Sequence, residues 1–113
     1  MTPGELYLVD FGPPDRGVEQ ARPRPAIVVH NDQFSSIPNL AIVCPMTTAR
    51  RGVPNHVLVP ATEESGLRQP SYVMTEQIRA VDRRFVRGRL GVAPRETTAE
   101  VLRVLHNRIL ARS

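Results

Sequence analysis

An α+β fold dominated by antiparallel sheet is what this sequence predicts, and three observations predict it. Short apolar, β-branched runs recur along most of the chain, separated by turns that carry proline and glycine. The hydrophobic period then changes once, near the end, from strand-like to helical. Finally, 113 residues at 41% hydrophobic content suffice for one domain, residues 1–113, around a modest core. Eleven prolines and seven glycines argue against long helices.

The first strand is expected over Leu6 to Phe11, where Tyr7, Val9 and Phe11 alternate with Leu6, Leu8 and Asp10. Gly12 to Gly17 carries turn chemistry. Pro25 to His30 reads as a buried strand, because its centre is continuously apolar and β-branched. A polar, turn-rich stretch from Asn31 to Asn39 leads to a third strand, Leu40 to Met46. Thr48 to Pro54 is a basic loop, His56 to Val59 a fourth strand, and Thr62 to Gln69 a short turn or helical piece. Ser71 to Arg79 reads as one longer strand and Val86 to Leu90 as a last short one. Thr97 and Glu100 then have the Thr-x-x-Glu spacing of a capping box. Behind them Val101, Leu102, Val104, Leu105, Ile109 and Leu110 form an apolar stripe, which predicts a helix over Thr98 to Ala111. Its buried face is expected to use Val101, Leu105 and Ile109, or their neighbours Leu102 and Leu110. No repeat or long linker divides the chain.

All fifteen basic residues are arginine and the formal charge is +4, which favours an anionic partner. No run approaches the roughly 18 apolar residues of a membrane span, and the first residues lack the pattern of a secretory signal. The single cysteine, Cys44, permits no internal disulfide and fits a reducing cytoplasm. His30, His56 and His106 have no ligand spacing, so neither a metal nor a cofactor is expected. Five aromatic residues and no tryptophan leave little for base stacking. A nucleic-acid partner would therefore be gripped by its backbone and a few base edges.

Arg24 is the first candidate for chemistry. It stands at the mouth of the second strand between Pro23 and Pro25, which stiffen the backbone around it. Its guanidinium is a permanently charged planar fork suited to phosphate. The third strand ends in two hydroxyls, Thr47 and Thr48, which should face opposite ways. A strand-mouth arginine near a strand-end threonine suits phosphodiester chemistry. Cys44, three residues before Thr47, should lie on the other strand face, in the core.

The chain also resembles the MazF/PemK toxins, single-strand-specific endoribonucleases of bacterial toxin–antitoxin pairs. The resemblance runs through Gly4 to Phe11, Gly17-Val18-Glu19-Gln20 and Arg24 to Val29. It continues in Asn31-Asp32, Ala41-Ile42-Val43 with Thr47, Pro54-Asn55-His56-Val57, and Ser71 to Asp82 with Glu76-Gln77-Ile78-Arg79 inside it. Each block is weak; the ordered set covers nearly the whole chain.

The resemblance implies a small twisted barrel of the MazF/CcdB type with a C-terminal helix at its side, and a homodimer. It implies an mRNA interferase that cuts single-stranded RNA within a short sequence, without metal, leaving 2′,3′-cyclic phosphate and 5′-hydroxyl ends. It makes Arg24 and Thr47 catalytic. Glu19, Ser71 and Gln77 match positions in the family's RNA groove, with Glu19 a candidate base. Arg22, Arg50 and Arg51 flank the site and should attract phosphates. A cognate acidic antitoxin, MazE-like, would block the groove. Two other readings remain open: a gyrase-poisoning toxin of the CcdB type, and a nucleic-acid-binding barrel without catalysis. The first lacks its aromatic anchor in Arg108 to Ser113.

Overall fold

Continuous apolar runs, rather than strict alternation, are the mark of strands buried on both faces. The computed structural model, which describes residues 1–12, 23–33 and 38–110, bears this out. Seven strands form one antiparallel sheet: β1 (Glu5–Val9), β2 (Arg24–Val28), β3 (Leu40–Thr47), β4 (His56–Val59), β5 (Ser71–Met74), β6 (Arg79–Asp82) and β7 (Val86–Val92). The hydrogen-bonded order is β4-β5-β3-β2-β1-β7, with β6 also on β3. The sheet coils as expected for a small barrel but remains unclosed, with β4 and β7 at the ends of its path.

Register sorts the side chains into two cores. Leu6, Ile27 and Cys44 pair across β1, β2 and β3. They pack with Met46, Val57, Val59 and Val73 against the helix residues Val101, Val104 and Leu105. On the opposite face Val9, Ala26, Val28, Ala41, Val43 and Val81 form a second cluster, with Tyr7, Phe11 and Val86 against it. One sheet thus serves two cores, and β2 is apolar on both sides for that reason.

The expected long strand from Ser71 to Arg79 is broken. Between the pairs Met46↔Val73 and Val43↔Arg79, β3 advances three residues (46 to 43) while the facing chain advances six (73 to 79). The surplus turns out of the ladder as a 3₁₀ turn, Thr75–Gln77. It is fastened by the buried Thr75 hydroxyl, which donates to the Asn55 carbonyl at 2.6 Å. Pro45, which brings no N–H, falls in the gap between the two pairings of β3.

The helix also differs from expectation at its start. α1 spans Arg95–Val104 and continues as a wider π-type segment, Leu105–Leu110; Ala111 lies outside the described residues. The capping box of Thr97 and Glu100 does not form. Pro94 holds the N-cap position without a side-chain bond, and Glu100 instead takes both nitrogens of Arg103 at 2.8 and 2.7 Å. Thr98 sits inside the first turn with its side chain against Gly4, which has a φ of +100° and where an added Cβ would fall 2.6 Å from the Thr98 hydroxyl oxygen. Val101 and Leu105 are buried and Ile109 half-buried, whereas Leu102 and Leu110 are exposed.

Candidate active site

The site begins with register. β2 and β3 pair as Ala26↔Pro45, Ile27↔Cys44 and Val28↔Val43. Continued two residues toward the strand mouth, the same register sets Arg24 opposite Thr47. Directly opposed residues share a face, with Cβ atoms about 4.5–5.5 Å apart. The row extends to Val9 on β1, to Tyr72 on β5 and to Leu58 on β4. It is a cross-strand line with one cation and one hydroxyl at its centre.

Arg24 is exposed, as a strand-mouth residue should be. Thr47 is half-buried, and its Oγ1 accepts the Ala49 N–H at 3.1 Å. That bond fixes the side chain and leaves the hydroxyl proton free to be donated. Thr48 is exposed. Cys44 is fully buried, and burial, reinforced by the charge of Glu76, pushes its thiol pKa up to about 12. It is a core residue, as the sequence suggested.

Arg50 and Arg51 are exposed on the loop that leaves β3. The charge of Arg51 acts on Glu76. Partial burial works against the Glu76 carboxylate, but the His56 hydrogen bond, its own backbone N–H, and the charges of His56 and Arg51 outweigh it. The carboxyl pKa therefore lies below its ordinary value. His56 Nε2 meets Glu76 Oε2 at 3.0 Å, with the ring buried. This pair was not visible in the sequence, because twenty residues separate its members and no local spacing joins them.

The remaining candidates divide. Ser71 is buried at the start of β5, where its hydroxyl donates to the Gln69 carbonyl at 3.0 Å. Together with Thr48 it lines a cleft of about 380 Å³ beside the strand mouth. Gln77 is exposed at the other end of β5, in the 3₁₀ turn, its amide 3.7 Å from the Met74 sulfur. Glu19 and Arg22 lie outside the described residues. The β2–β3 register thus aligns Arg24 with Thr47, whereas Ser71, like Thr48, belongs to the opposite face of the sheet and Gln77 to the turn after β5.

Chemically, this arrangement is a set of donors for an anion: a guanidinium, an oriented hydroxyl and two loop arginines. Among the described residues no group of histidine, cysteine or carboxylate side chains has the geometry of a metal site. No helix among them is long and apolar enough to cross a membrane.

A coiled antiparallel sheet with a side helix and a cationic strand mouth defines the class of the MazF fold. The chain superimposes on MazF from Deinococcus radiodurans with a TM-score of 0.74, at 31% identity, covering 94% of this chain and 93% of that one. MazF in the MazE–MazF complex of the same organism gives a TM-score of 0.75 at 31% identity, over 94% and 92%. The family model for PemK-like, MazF-like toxins of type II toxin–antitoxin systems matches residues 2–109, and the chain belongs to that family. The endoribonuclease EndoA of Bacillus subtilis is 33% identical over 82 residues, 71% of this chain and 69% of that protein. The endoribonuclease toxin MazF of Escherichia coli K12 is 31% identical over 78 residues. That match spans 69% of this chain and 65% of the relative's length.

Proposed function

We propose that this chain is a sequence-specific, single-strand-specific endoribonuclease, the toxin of a toxin–antitoxin pair acting on messenger RNA in the cytoplasm. The observation that carries this reading is the β2–β3 register, which, continued two residues beyond Ala26↔Pro45, sets Arg24 opposite Thr47 at the strand mouth. The names of its relatives support it.

Cleavage proceeds by attack of the ribose 2′-oxygen on the adjacent phosphorus. The 2′-hydroxyl gives its proton to a base, the new P–O bond closes a 2′,3′-cyclic phosphate, and the 5′-oxygen leaves with a proton as a 5′-hydroxyl. Arg24 stabilises the charge that builds on the phosphorane oxygens. Its free pKa of about 12.5 or higher makes it a poor base. Thr47 donates to a non-bridging oxygen. Glu19 is the candidate base, and Arg22, Arg50, Arg51 and Gln77 hold the strand. The steps call for no metal, and the need for a 2′-hydroxyl excludes DNA.

Two copies form the working unit, with Val53 and Leu58, 42% and 47% exposed near the site, available to an interface. An acidic antitoxin segment that orders on binding covers the arginines and inhibits the enzyme. The test is to incubate the pure protein with RNA and with single-stranded DNA in EDTA and to map 5′-hydroxyl ends. Cutting of RNA alone at a short word is expected. Intact RNA would favour the gyrase-directed or purely binding alternatives.

A further inference from the structure

The sheet face that carries Arg24 and Thr47 continues into a pocket of its own. Arg24 pairs with Val9 of β1, whose side chain belongs to the second core. Phe11, two residues further along, packs against the same cluster. On β6, Arg79 pairs with Val43 and Val81 with Ala41, and both partners belong to that cluster. Val43 and Thr47 in turn share a face of β3. Phe11, Arg79, Val81 and Phe85 line a pocket of about 460 Å³. Two residues of extended chain advance roughly 7 Å, so the Phe11 wall begins about that far beyond the Arg24–Val9 pair.

Two of the three phenylalanines meet here, in a chain of five aromatics. Each has a guanidinium over its ring at 5.1 Å from the centroid, Arg79 over Phe11 and Arg84 over Phe85. The two arginines differ in what else holds them. Arg84 Nε also meets the Asp82 carboxylate at 3.4 Å, and its N–H donates to the other Asp82 oxygen at 3.0 Å. Asp10, the second carboxylate of the lining, accepts the Gly12 N–H at 2.9 Å and Arg87 at 3.2 Å. Arg79 is exposed, and none of the described carboxylates forms an ion pair with it. It is a planar cation laid on an aromatic ring and open to solvent.

We propose that this pocket is a stacking subsite for one unpaired nucleobase flanking the scissile phosphate, with Arg79 and Phe11 as its binding residues. The inference rests on single-stranded RNA as the partner, as read above. A base is flat and has two π-faces, and guanidinium planes and aromatic rings both stack on such faces. The base extends the Phe11–Arg79 stack, and the Arg79 charge attracts the adjoining phosphate. Val81 and Phe85 supply apolar walls. Both oxygens of each lining carboxylate are already engaged, so they are not free to read a base edge. The pocket therefore grips a base by its faces and accepts any of the four.

The test scans an RNA carrying the mapped word, with a 2′-methoxy group at the cut ribose so that it is bound and not cut. Each nucleotide beside the cut is replaced in turn by an abasic one. One position is expected where this change weakens wild-type binding about tenfold or more, and where all four bases bind with similar affinity. In Arg79→Ala and in Phe11→Leu that abasic loss should vanish, because the platform for the base is gone. Arg79 is exposed, so its variant keeps the wild-type melt; Phe11→Leu keeps an aliphatic contact with the core. The word mapped from 5′-hydroxyl ends should be the same in all three proteins. An abasic loss that persists in both variants, or no position with such a loss, overturns the subsite and leaves the nuclease reading standing. A base preference at that position which Arg79→Ala abolishes makes Arg79 a reader of edges and overturns the stack. If no RNA is cut, the nuclease reading falls, and the same scan on the RNA held most tightly still decides the subsite.

Discussion

The two ends of the β2–β3 pair use arginine in opposite ways. At the hairpin end, Arg83 is consumed by the fold. It donates to the Leu40 carbonyl at 2.7 Å and to both oxygens of Asp32, which also binds the N-terminal amine. His30 completes the knot: its buried ring accepts the Ile42 N–H at Nδ1, 3.2 Å, and meets Asp32 through Nε2 at 2.8 Å. At the mouth, Arg24 is exposed, and none of the described carboxylates forms an ion pair with it. Its partner across the strand is a hydroxyl. The same residue type is structural where acceptors surround it and available for a ligand anion where they do not.

That contrast can be broken most sharply at Arg24. Arg24→Ala should lower the single-turnover cleavage rate by about 10²–10³, the usual cost of one preorganised charge stabiliser. The thermal melt should stay in place. Arg24→Lys should recover little, because a point charge does not replace a fork. A near-normal rate in either variant would remove Arg24 from the mechanism.

A smaller effect is expected one strand away. Thr47→Ala should slow cleavage about tenfold, the worth of one hydrogen bond of roughly 1.4 kcal/mol in the transition state. Thr47→Ser should restore most of the rate if the hydroxyl, rather than strand packing, is what matters. Equal losses in both variants would point to packing.

Salt separates available arginines from consumed ones. Affinity for a non-cleavable RNA should fall with salt at a slope of about −0.7 per phosphate contact. Charge reversal at Arg50 and Arg51 should flatten it, whereas Arg83→Ala should leave it unchanged. A slope that responds to Arg83 would mean that the hairpin end also holds RNA.

The smallest functional effect belongs to Arg83 itself. The hydrogen bond from Arg83, then those from the N-terminus and His30, hold the Asp32 carboxyl well below the usual range. A depressed carboxyl contributes stability that is complete above its unfolded pKa, about 3.9, and is lost as pH falls toward the folded value. Melts between pH 7 and pH 2 should therefore show an acid limb that Arg83→Ala flattens, with the cleavage rate at neutral pH unchanged. An identical limb in both proteins would show that the knot adds no stability.

Much of this fold could be read from the chain because its strands are apolar runs with proline and glycine between them. His56 to Val59 is found as expected, and β1, β2 and β3 differ only by a residue or two at their ends. The break after Met74 was hidden, since it follows from a mismatch in advance along β3 that no local signal carries. The helix start was hidden because a capping box competes with other partners, and here Glu100 goes to Arg103. Arg24 and Thr47 stood out by residue type at strand ends, but their alignment is a property of pairing. The close approach of the loop between β4 and β5 to β7 was invisible, because Gly66 meets Leu90 across more than twenty residues.

The pairing of β1 with β7 has a consequence for synthesis. Glu5–Val9 is made long before Val86–Val92, the strand that pairs with its outer edge. β3 likewise waits for β6, which completes the wall beside Val43. Arg24 and Thr47 can meet early, as a hairpin, but the frame that holds them rigid cannot assemble until most of the chain has emerged. A nascent copy therefore carries Arg24 and Thr47 on an unfinished scaffold.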